Sequence, residues 1–300
     1  MRTEISLVGG LGNQLFIVAY ALFLKNVTLH DVTLRVVREG RGNETHGGLV
    51  LKDLDEDVGI PWFIEGRIGH WLSKARRVLA VKFNSWNFGP DSVTYTHDGK
   101  AIGTAPCRRL TKFDNIETGY FQDPKFLEEI RKLGFLNDLA PRNPSGWFLN
   151  IAESNDWDQA LAVHVRLGDF TGKSGPGALS IEYYKEAIAL SLEECEDKRV
   201  VVFSDAILEV EGLFLESLPQ YRFIFVKPPQ QASALESLSL MSKFHSIVIS
   251  NSTFGWWAAV SGESRKNVFA PKTWSRQSVE ESHLNFESWV TLTSSWTPQT

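Results

Sequence analysis

Short apolar runs alternate with longer amphipathic segments through the second half of the chain. The short runs are rich in Val, Ile and Phe and predict strands, whereas the longer segments have the spacing of helices. The predicted strands are 161–166, 199–203, 222–226 and 246–250, and the predicted helices are 181–195 with Ser180 as N-cap, 207–216, 231–243 and 254–261. This alternation predicts a parallel sheet with helices on both faces.

The first half opens in the same way. A strand at 4–8 runs into a glycine-rich loop, after which apolar residues at helical spacing predict a helix at 13–25. Further predicted elements are an extended stretch at 32–37, a basic segment at 67–78 that is compatible with a helix, and a helix at 124–133 with Asp123 as N-cap and Pro124 at its first position. The turn-rich segment 141–146 places a domain boundary near residue 150, which gives domains of residues 1–150 and 151–300.

Composition and charge narrow the class of protein. The chain has 300 residues, of which 43% are hydrophobic and 22% charged, as in soluble proteins of one or two domains. A net charge of -5 argues against a nucleic-acid surface. Cys107 and Cys195 fit a reducing compartment, and the sequence holds no metal-binding spacing. The apolar run at 15–24 falls short of the ~20 residues of a membrane span, and no signal peptide is evident, so we expect a cytoplasmic protein.

The strand at 161–166 ends in a candidate anion-binding residue. Because side chains alternate along a strand, His164 and Arg166 lie on the same face, and Gly168 then opens a turn that carries Asp169. Ligands of open α/β sheets bind at the carboxyl ends of strands, and a guanidinium there suits phosphate. The alternative is a structural ion pair between the Arg and the Asp.

The glycine-rich loop GGLGNQ follows the first strand and contains Gly10, Gly12, Asn13 and Gln14. Such a loop lets backbone approach a ligand, and the following helix offers N–H groups to an anion. The last glycine of a dinucleotide fingerprint is missing, which argues against a nicotinamide-dependent oxidoreductase. The alternative interpretation is a tight turn between strand and helix.

Two later strands also end in polar residues. Ser204 and Asp205 follow the strand at 199–203, where an Asp can bind a ribose or a base, or simply cap the next turn. Asn251, Ser252 and Thr253 follow the strand at 246–250 and begin a helix, which favours a phosphate site or ordinary capping.

In this order, the segments GGLGNQLF, HVRLGDF, FSDA and SNSTFGWWAA resemble the α-1,2-fucosyltransferases of glycosyltransferase family eleven, whose motifs are GGLGNQ, HxRRGDY, FSDD and SNSSFSWWAA. GYFQ at 119–122 and APKTW at 270–274, followed by Trp289, agree as well, so the blocks span residues 5 to 289. The HxRxxD core is shared with α-1,6- and protein O-fucosyltransferases. Leu167 stands in place of the second Arg of the family motif, and Ala206 in place of the second Asp.

The resemblance implies a GT-B fold, in which two Rossmann-like α/β domains face each other across a cleft. The N-terminal domain would be the acceptor side, and the C-terminal domain, with its tail, would bind GDP-fucose. The implied reaction is inverting transfer of L-fucose from GDP-β-L-fucose to the 2-hydroxyl of a galactose-containing glycan. The proposed donor site offers no D-x-D or clustered carboxylate–histidine motif, so we expect the reaction to need neither a metal nor another cofactor. Peripheral association with a lipid-linked acceptor is a further alternative.

The same resemblance assigns roles to the candidate residues. Arg166 would stabilise charge on the β-phosphate of the leaving GDP, with Ser252 and Thr253 sharing that load. Asp205 would hold the nucleoside, and Asn13 would reach the phosphate or the fucose. Asp169 and His164 are candidates for the general base, although His164 also fits a structural role. The remaining predicted substrate-binding residues are Gly10, Gly12, Gln14, Ser204, Asn251 and Phe254.

Two further alternatives remain at this point. One is a fucosyltransferase of another linkage, since HxRxxD is shared more broadly. The other is a non-catalytic protein that binds a nucleotide sugar or a glycan, which Leu167 and Ala206 suggest.

Overall fold

The structure, a computed structural model, describes residues 1–36, 49–64, 115–153, 157, 160–172, 175–193, 199–262 and 267–298, and the backbone of four further short strands. The chain forms two compact units, Met1–Asn137 and Asp138–Thr300. The predicted segment 67–78 lies outside the described residues. None of the described helices is long and apolar enough to cross a membrane.

The first unit is an α/β layer built around the central strand β1. Its elements are β1 (Arg2–Leu7), α1 (Leu11–Asn26), β2 (Asp31–Val36), β3 (Arg38–Glu39), β4 (Asn43–Glu44), α2 (Val50–Asp53), β5 (Trp62–Ile64), β6 (Asp91–Tyr95), β7 (Ala101–Pro106), β8 (Asn115–Thr118) and α3 (Pro124–Lys132). Ile5 and Leu7 are fully buried, as are apolar residues of α1, which contacts β1 and β2.

Within the described residues, the first sheet has the strand order β5-β2-β1-β8-β6-β7. The pairs between β5, β2, β1, β8 and β6 are parallel, and β6 pairs with β7 in antiparallel fashion. Strands β2 and β5 lie on one side of β1 in the sheet, whereas β8, β6 and β7 lie on its other side. Such a reversal of strand order forms a crevice at the carboxyl end of the central strand, which is the usual ligand position in open α/β sheets.

The second unit repeats this plan more regularly. Its elements are α4 (Gly146–Glu153), β9 (Leu161–Val165), α5 (Ile181–Ser191), β10 (Arg199–Ser204), α6 (Ile207–Ser217), β11 (Arg222–Phe225), α7 (Ala234–Met241), β12 (Ser246–Val248), α8 (Thr253–Val260), β13 (Asn267–Pro271) and β14 (Val290–Leu292). The described strands have the order β11-β10-β9-β12-β13-β14, and every pair is parallel. The strand order reverses between β9 and β12.

The predicted α/β class, with two Rossmann-like units, is therefore confirmed, and the elements shift by only a few residues. Asp123 caps α3 as predicted, because its carboxylate accepts the N–H of Lys125 at 3.0 Å. α7 begins at Ala234 rather than near 231, since the hydroxyl of Ser233 accepts the N–H of Glu236 and acts as N-cap. Ser180 occupies the N-cap position of α5, but its hydroxyl bonds to that of Ser295.

The division between the units falls after Asn137, earlier than the sequence-based boundary near residue 150. The carboxylate of Glu236 on α7 accepts both the N–H and the hydroxyl of Ser145, at 2.9 and 2.7 Å. This buried acid anchors the start of α4 to the second unit. The turn-rich segment 141–146 therefore belongs to the second unit, and no sequence pattern pairs Ser145 with an acid so far along the chain.

Candidate active site

Three neighbouring strand ends of the second unit carry the predicted donor-site residues. β9 lies between β10 and β12, and both pairs are parallel. Arg166 follows β9 directly, and Asp205 follows β10. Asn251 and Ser252 follow β12 and lead into α8. Because all three strands run in one direction, these residues meet at one edge of the sheet, where its strand order reverses.

Arg166 lies at this edge between two carboxylates. Its Nε and Nη2 donate to Asp169 Oδ1 at 3.1 and 2.7 Å, and Nε also lies 3.2 Å from Asp205 Oδ2. The Arg166 side chain is 32% exposed, whereas that of Asp169 is 69% exposed and that of Asp205 is 25% exposed. The guanidinium is thus held by the mostly buried Asp205 on one side and by the solvent-exposed Asp169 on the other.

Asp205 is held in place by the turn that follows β9. Its Oδ1 accepts the backbone N–H of Leu167 at 3.0 Å. Gly168 leaves room for the carboxylate, because a Cβ at that position would collide with Oδ2. Beside it, the hydroxyl of Ser204 accepts the N–H of Ala206 at 3.0 Å and shapes the turn into α6. Both oxygens of Asp205 therefore have partners inside the protein.

His164 is buried beneath this edge, with 4% of its surface exposed. Its Nδ1 lies 2.9 Å from the hydroxyl oxygen of Ser250, and its ring stacks on Phe254 with centroids 5.3 Å apart. Burial, and secondarily the charge of Arg166, lowers the pKa of His164 from 6.5 to about 3. The imidazole is therefore neutral near pH 7 and screened from solvent, which favours its structural role over that of a general base.

The N-terminus of α8 is the second electropositive feature at this edge. Ser252 is its N-cap and accepts the N–H of Phe254 at 3.4 Å. Thr253 is the first helical residue and is half-buried. The N–H groups at the start of a helix and the helix dipole favour an anion there. A phosphate group is the ligand that suits both this helix end and the guanidinium of Arg166.

Asn251 has a different position from its neighbours. It is 4% exposed, and its Nδ2 donates to the carbonyl oxygens of Gly177 and Trp274 at 2.9 and 3.0 Å. The amide thus ties the start of α8 to the loop that precedes α5. This buried cross-link positions the helix N-terminus, and it could not be recognised from the capping pattern alone.

The glycine loop of the first unit occupies the equivalent crevice beside β1. Gly9 has a φ of +82°, and a Cβ there would lie 3.0 Å from the ring of Tyr120. Gln122 donates to Oδ1 of Asn13 at 2.9 Å. The GYFQ segment after β8 therefore packs on the loop after β1, which explains why both stretches carry distinctive residues.

The glycines and Gln14 shape the N-terminus of α1. Gly10 is its N-cap, and no side chain caps this helix among the described residues. Gly12 is buried in the first turn. Gln14 is fully buried, donates to the carbonyl of Gly9 at 3.0 Å and accepts the N–H of Val50 at 3.1 Å. Gln14 therefore stabilises the loop from within the core, whereas the partly exposed Asn13 is the polar side chain of the motif that lies nearer the surface.

The positions that depart from the family motifs lie in an apolar cluster. Leu167 is 5% exposed within it, and Ala206 packs against it. Leu167 and Ala206 therefore contribute to apolar packing. Arg166 and Asp205, which each directly precede one of them, remain in contact. In the part of the chain that the structure describes, no group of three or more His, Cys, Asp and Glu residues could hold a metal ion.

The fold defines an α/β protein, and the edge at its strand-order reversal carries groups suited to a phosphate. The model of glycosyl transferase family 11 matches residues 3–293. The chain therefore belongs to this family, as the sequence motifs predict. It is similar to the O-antigen biosynthesis glycosyltransferase WbnK of Escherichia coli, with 29% identity over 136 residues. That match covers 44% of this chain and 44% of the relative, so less than half of the relative's length is matched.

Several solved structures are similar to most of this chain. The NodZ α-1,6-fucosyltransferase soaked with GDP-fucose has 15% identity and a TM-score of 0.45, covering 86% of this chain and 92% of that one. A variant of Arabidopsis thaliana FUT1 in complex with GDP has 16% identity and a TM-score of 0.48, covering 91% and 71%. A family 9 glycosyl transferase from Veillonella parvula has 12% identity and a TM-score of 0.49, covering 98% and 86%. The family assignment rests on the sequence match.

Proposed function

We propose that this glycosyltransferase transfers L-fucose from GDP-β-L-fucose, with inversion, to the 2-hydroxyl of a galactoside. The observation that carries the proposal is the position of Arg166 beside the N-terminus of α8, on adjacent strands of the sheet. In a member of family 11, two electropositive groups at a strand-order reversal are suited to a sugar nucleotide with a pyrophosphate leaving group.

The chemistry requires stabilisation of the departing GDP. As the bond between the sugar C1 and the phosphate oxygen breaks, negative charge grows on the β-phosphate. Arg166 and the first-turn amides of α8 would stabilise that charge more strongly in the transition state than in the bound donor. Asp205 keeps the guanidinium oriented, and the exposed Asp169 can be exchanged for a phosphate oxygen. Because both Asp205 oxygens have partners in the protein, we assign Asp205 this orienting role in place of a contact with the nucleoside. Asn13 of the glycine loop would bind the phosphate or the fucose.

Inversion requires a base for the acceptor hydroxyl. His164 is buried and neutral, so Asp169 is the better candidate of the two. Its carboxylate is 69% exposed, and only Oδ1 is engaged by Arg166. Among the described residues, Asp169 Oδ2 accepts no hydrogen bond, which leaves its lone pairs for a substrate hydroxyl.

The same proposal includes metal independence and a cytoplasmic site of action. Positive charge at the donor site comes from a side chain and a helix terminus, which can replace a cation in binding a pyrophosphate. The acceptor would be a galactose-containing glycan. Because WbnK is named for O-antigen biosynthesis, lipid-linked oligosaccharides with terminal galactose belong in the acceptor panel.

The test is an assay of GDP release with GDP-fucose and a panel of galactosides, followed by linkage analysis of the product. Release of GDP that depends on a galactoside, with an α-1,2 linkage in the product, supports the proposal. A product with another linkage would support fucosyl transfer but contradict the 2-hydroxyl as the acceptor group. Tight GDP binding without turnover on any acceptor would support the non-catalytic alternative. The Arg166→Ala protein is the matched negative control.

A further inference from the structure

Residues 176–180, which precede α5, are bonded to two other parts of the second unit. The carbonyl of Pro176 accepts the N–H of Arg276 at 2.8 Å. The carbonyl of Ala178 accepts both the N–H and the hydroxyl of Thr297, at 3.0 and 3.2 Å. Ser180 donates its N–H to the carbonyl of Ser295 at 2.9 Å. The loop therefore has a fixed course, although it follows the exposed turn that carries Asp169.

Arg276 connects these two anchors to each other. Its Nη2 donates to the carbonyl of Thr297 at 2.7 Å, and its backbone N–H holds Pro176. Arg276 and Thr297 thus form a closed ring of hydrogen bonds with the loop. Because the guanidinium is charged, its bond to a carbonyl is stronger than a bond between neutral groups.

Gly177 lies at the centre of this ring. Its φ of +100° is in the left-handed region. A Cβ at this position would lie 3.0 Å from Cε3 of Trp296 and 3.2 Å from Cβ of Arg276. Glycine is therefore the residue that follows this path without strain, and it packs the loop closely against Arg276 and Trp296.

The carbonyl of Gly177 accepts Nδ2 of Asn251 at 2.9 Å. Asn251 directly precedes Ser252, the N-cap of α8. A connected path therefore runs from Thr297 through hydrogen bonds to Arg276 and Pro176, along the backbone to Gly177, and from its carbonyl to Asn251 at the helix end that is proposed to bind phosphate.

We propose that Arg276 is a positioning residue for the donor site, which acts through Gly177 and Asn251 on the N-terminus of α8, with residues 294–297 as its support. The inference rests on the proposed function, because it assumes that this helix end binds the pyrophosphate. Nothing in the HxRxxD or SNS motifs includes Arg276, which lies just after the APKTW stretch.

The experiment compares Arg276→Met, which keeps the aliphatic stem and removes the donors, with Arg276→Lys, which keeps a cationic donor. We expect Arg276→Met to raise the KM for GDP-fucose and the Kd for GDP by about tenfold, the effect of one charge-assisted hydrogen bond. The acceptor KM should be unchanged, and Arg276→Lys should recover part of the loss. The control is Lys272→Met, since Lys272 is an exposed cation of the same segment.

A second pair of variants addresses the loop directly. Gly177→Ala should weaken GDP binding in the same way. Gly172→Ala should leave it unchanged, because a Cβ there would meet its nearest atom, the carbonyl oxygen of Asp169, at an ordinary 3.7 Å.

Wild-type protein that fails to bind GDP in calorimetry would reject the proposed function itself. Wild-type protein that binds GDP, together with an Arg276→Met protein of equal donor affinity, would overturn only the present inference. Equal losses in donor and acceptor KM, or unfolding of both Arg276→Met and Gly177→Ala, would also overturn it, since these contacts would then serve stability alone.

Discussion

Asp205 Oδ2 lies 3.2 Å from Arg166 Nε, while the other oxygen of the same carboxylate accepts the N–H of Leu167. One acid thus sets both the direction of the Arg166 side chain and the path of the backbone that follows it. The absence of a Cβ at Gly168 permits this approach. Asp205 therefore combines a turn-capping role, which its sequence position suggests, with control of the residue beside it.

Substitution of Asp205 by Asn distinguishes two roles in donor binding, which are orientation of Arg166 and direct contact with the nucleoside. The amide oxygen can still accept from Leu167, but the charge that orients Arg166 is lost. We expect the affinity for GDP to fall about tenfold to 100-fold, the range for a hydrogen bond with a charged partner. Guanosine, which lacks phosphates, should bind unchanged. Calorimetry with both ligands is the measurement, and an equal loss for guanosine would indicate a direct contact between Asp205 and the nucleoside.

Arg166 should matter for the reaction far more than for the fold. Its side chain is 32% exposed at the sheet edge, so truncation opens no core cavity. For Arg166→Ala we expect kcat to fall about 100- to 1,000-fold, the usual cost of removing one group that stabilises developing charge. Arg166→Lys should retain a kcat between those of Arg166→Ala and wild type, because an ammonium keeps the charge but lacks the bidentate geometry of a guanidinium. Kinetics and thermal melting of both variants test this, and an active Arg166→Ala protein would reject the mechanism.

His164 should make folding sensitive to acid. Because burial, and then Arg166, lowers its pKa from 6.5 to about 3, the unfolded chain binds more protons than the folded protein between these values. The stability that depends on neutral His164 is complete above pH 6.5 and is lost as the pH falls toward 3.

Denaturant melts of wild type and His164→Gln between pH 7 and about 4 provide the measurement for this acid sensitivity. The variant should lose less stability on acidification, and its kcat should keep the pH profile of wild type. His283→Gln, at an exposed position, serves as the control. Identical slopes for wild type and His164→Gln would contradict the assignment of a buried neutral imidazole.

Metal chelation should leave the transferase rate nearly unchanged. At the proposed donor site, Arg166 and the N-terminus of α8 would supply the positive charge, and the described residues contain no cluster suited to a metal ion. Rates measured with EDTA, and again after addition of Mg²⁺ or Mn²⁺, provide the check. A rate that EDTA abolishes and a divalent cation restores would show that these groups are insufficient.

The strands and the residues that end them could be predicted from the sequence because periodicity is local. Arg166, Asp205 and Ser252 follow apolar runs, and parallel strands bring such ends together without further information. Asn251 and Gln14 could be placed near the site, but their roles could not be read from their neighbours. Asn251 bonds to a carbonyl 74 residues away and Gln14 to an amide 36 residues away.

The burial of His164 is a second feature that the sequence pattern could not predict. Its alternation with Arg166 correctly places both on one strand, but the pattern does not distinguish a side chain beneath a helix from one at a surface. The packing of Phe254 and Ser250 from the segment after β12 decides this, and the space for His164 depends on Gly255. Burial of this kind follows from tertiary contacts between β9 and α8.

The bonds between Ala178 and Thr297 join positions that are 119 residues apart. During synthesis, a ribosome delivers β9 and its arginine long before the segment that fixes the following loop. A nascent chain can therefore pair its central strands early, yet the loop before α5 is fixed only after residues 295–297 have been added. If the proposed function holds, chains that lack residues 295–297 should accordingly fold in part and bind GDP weakly.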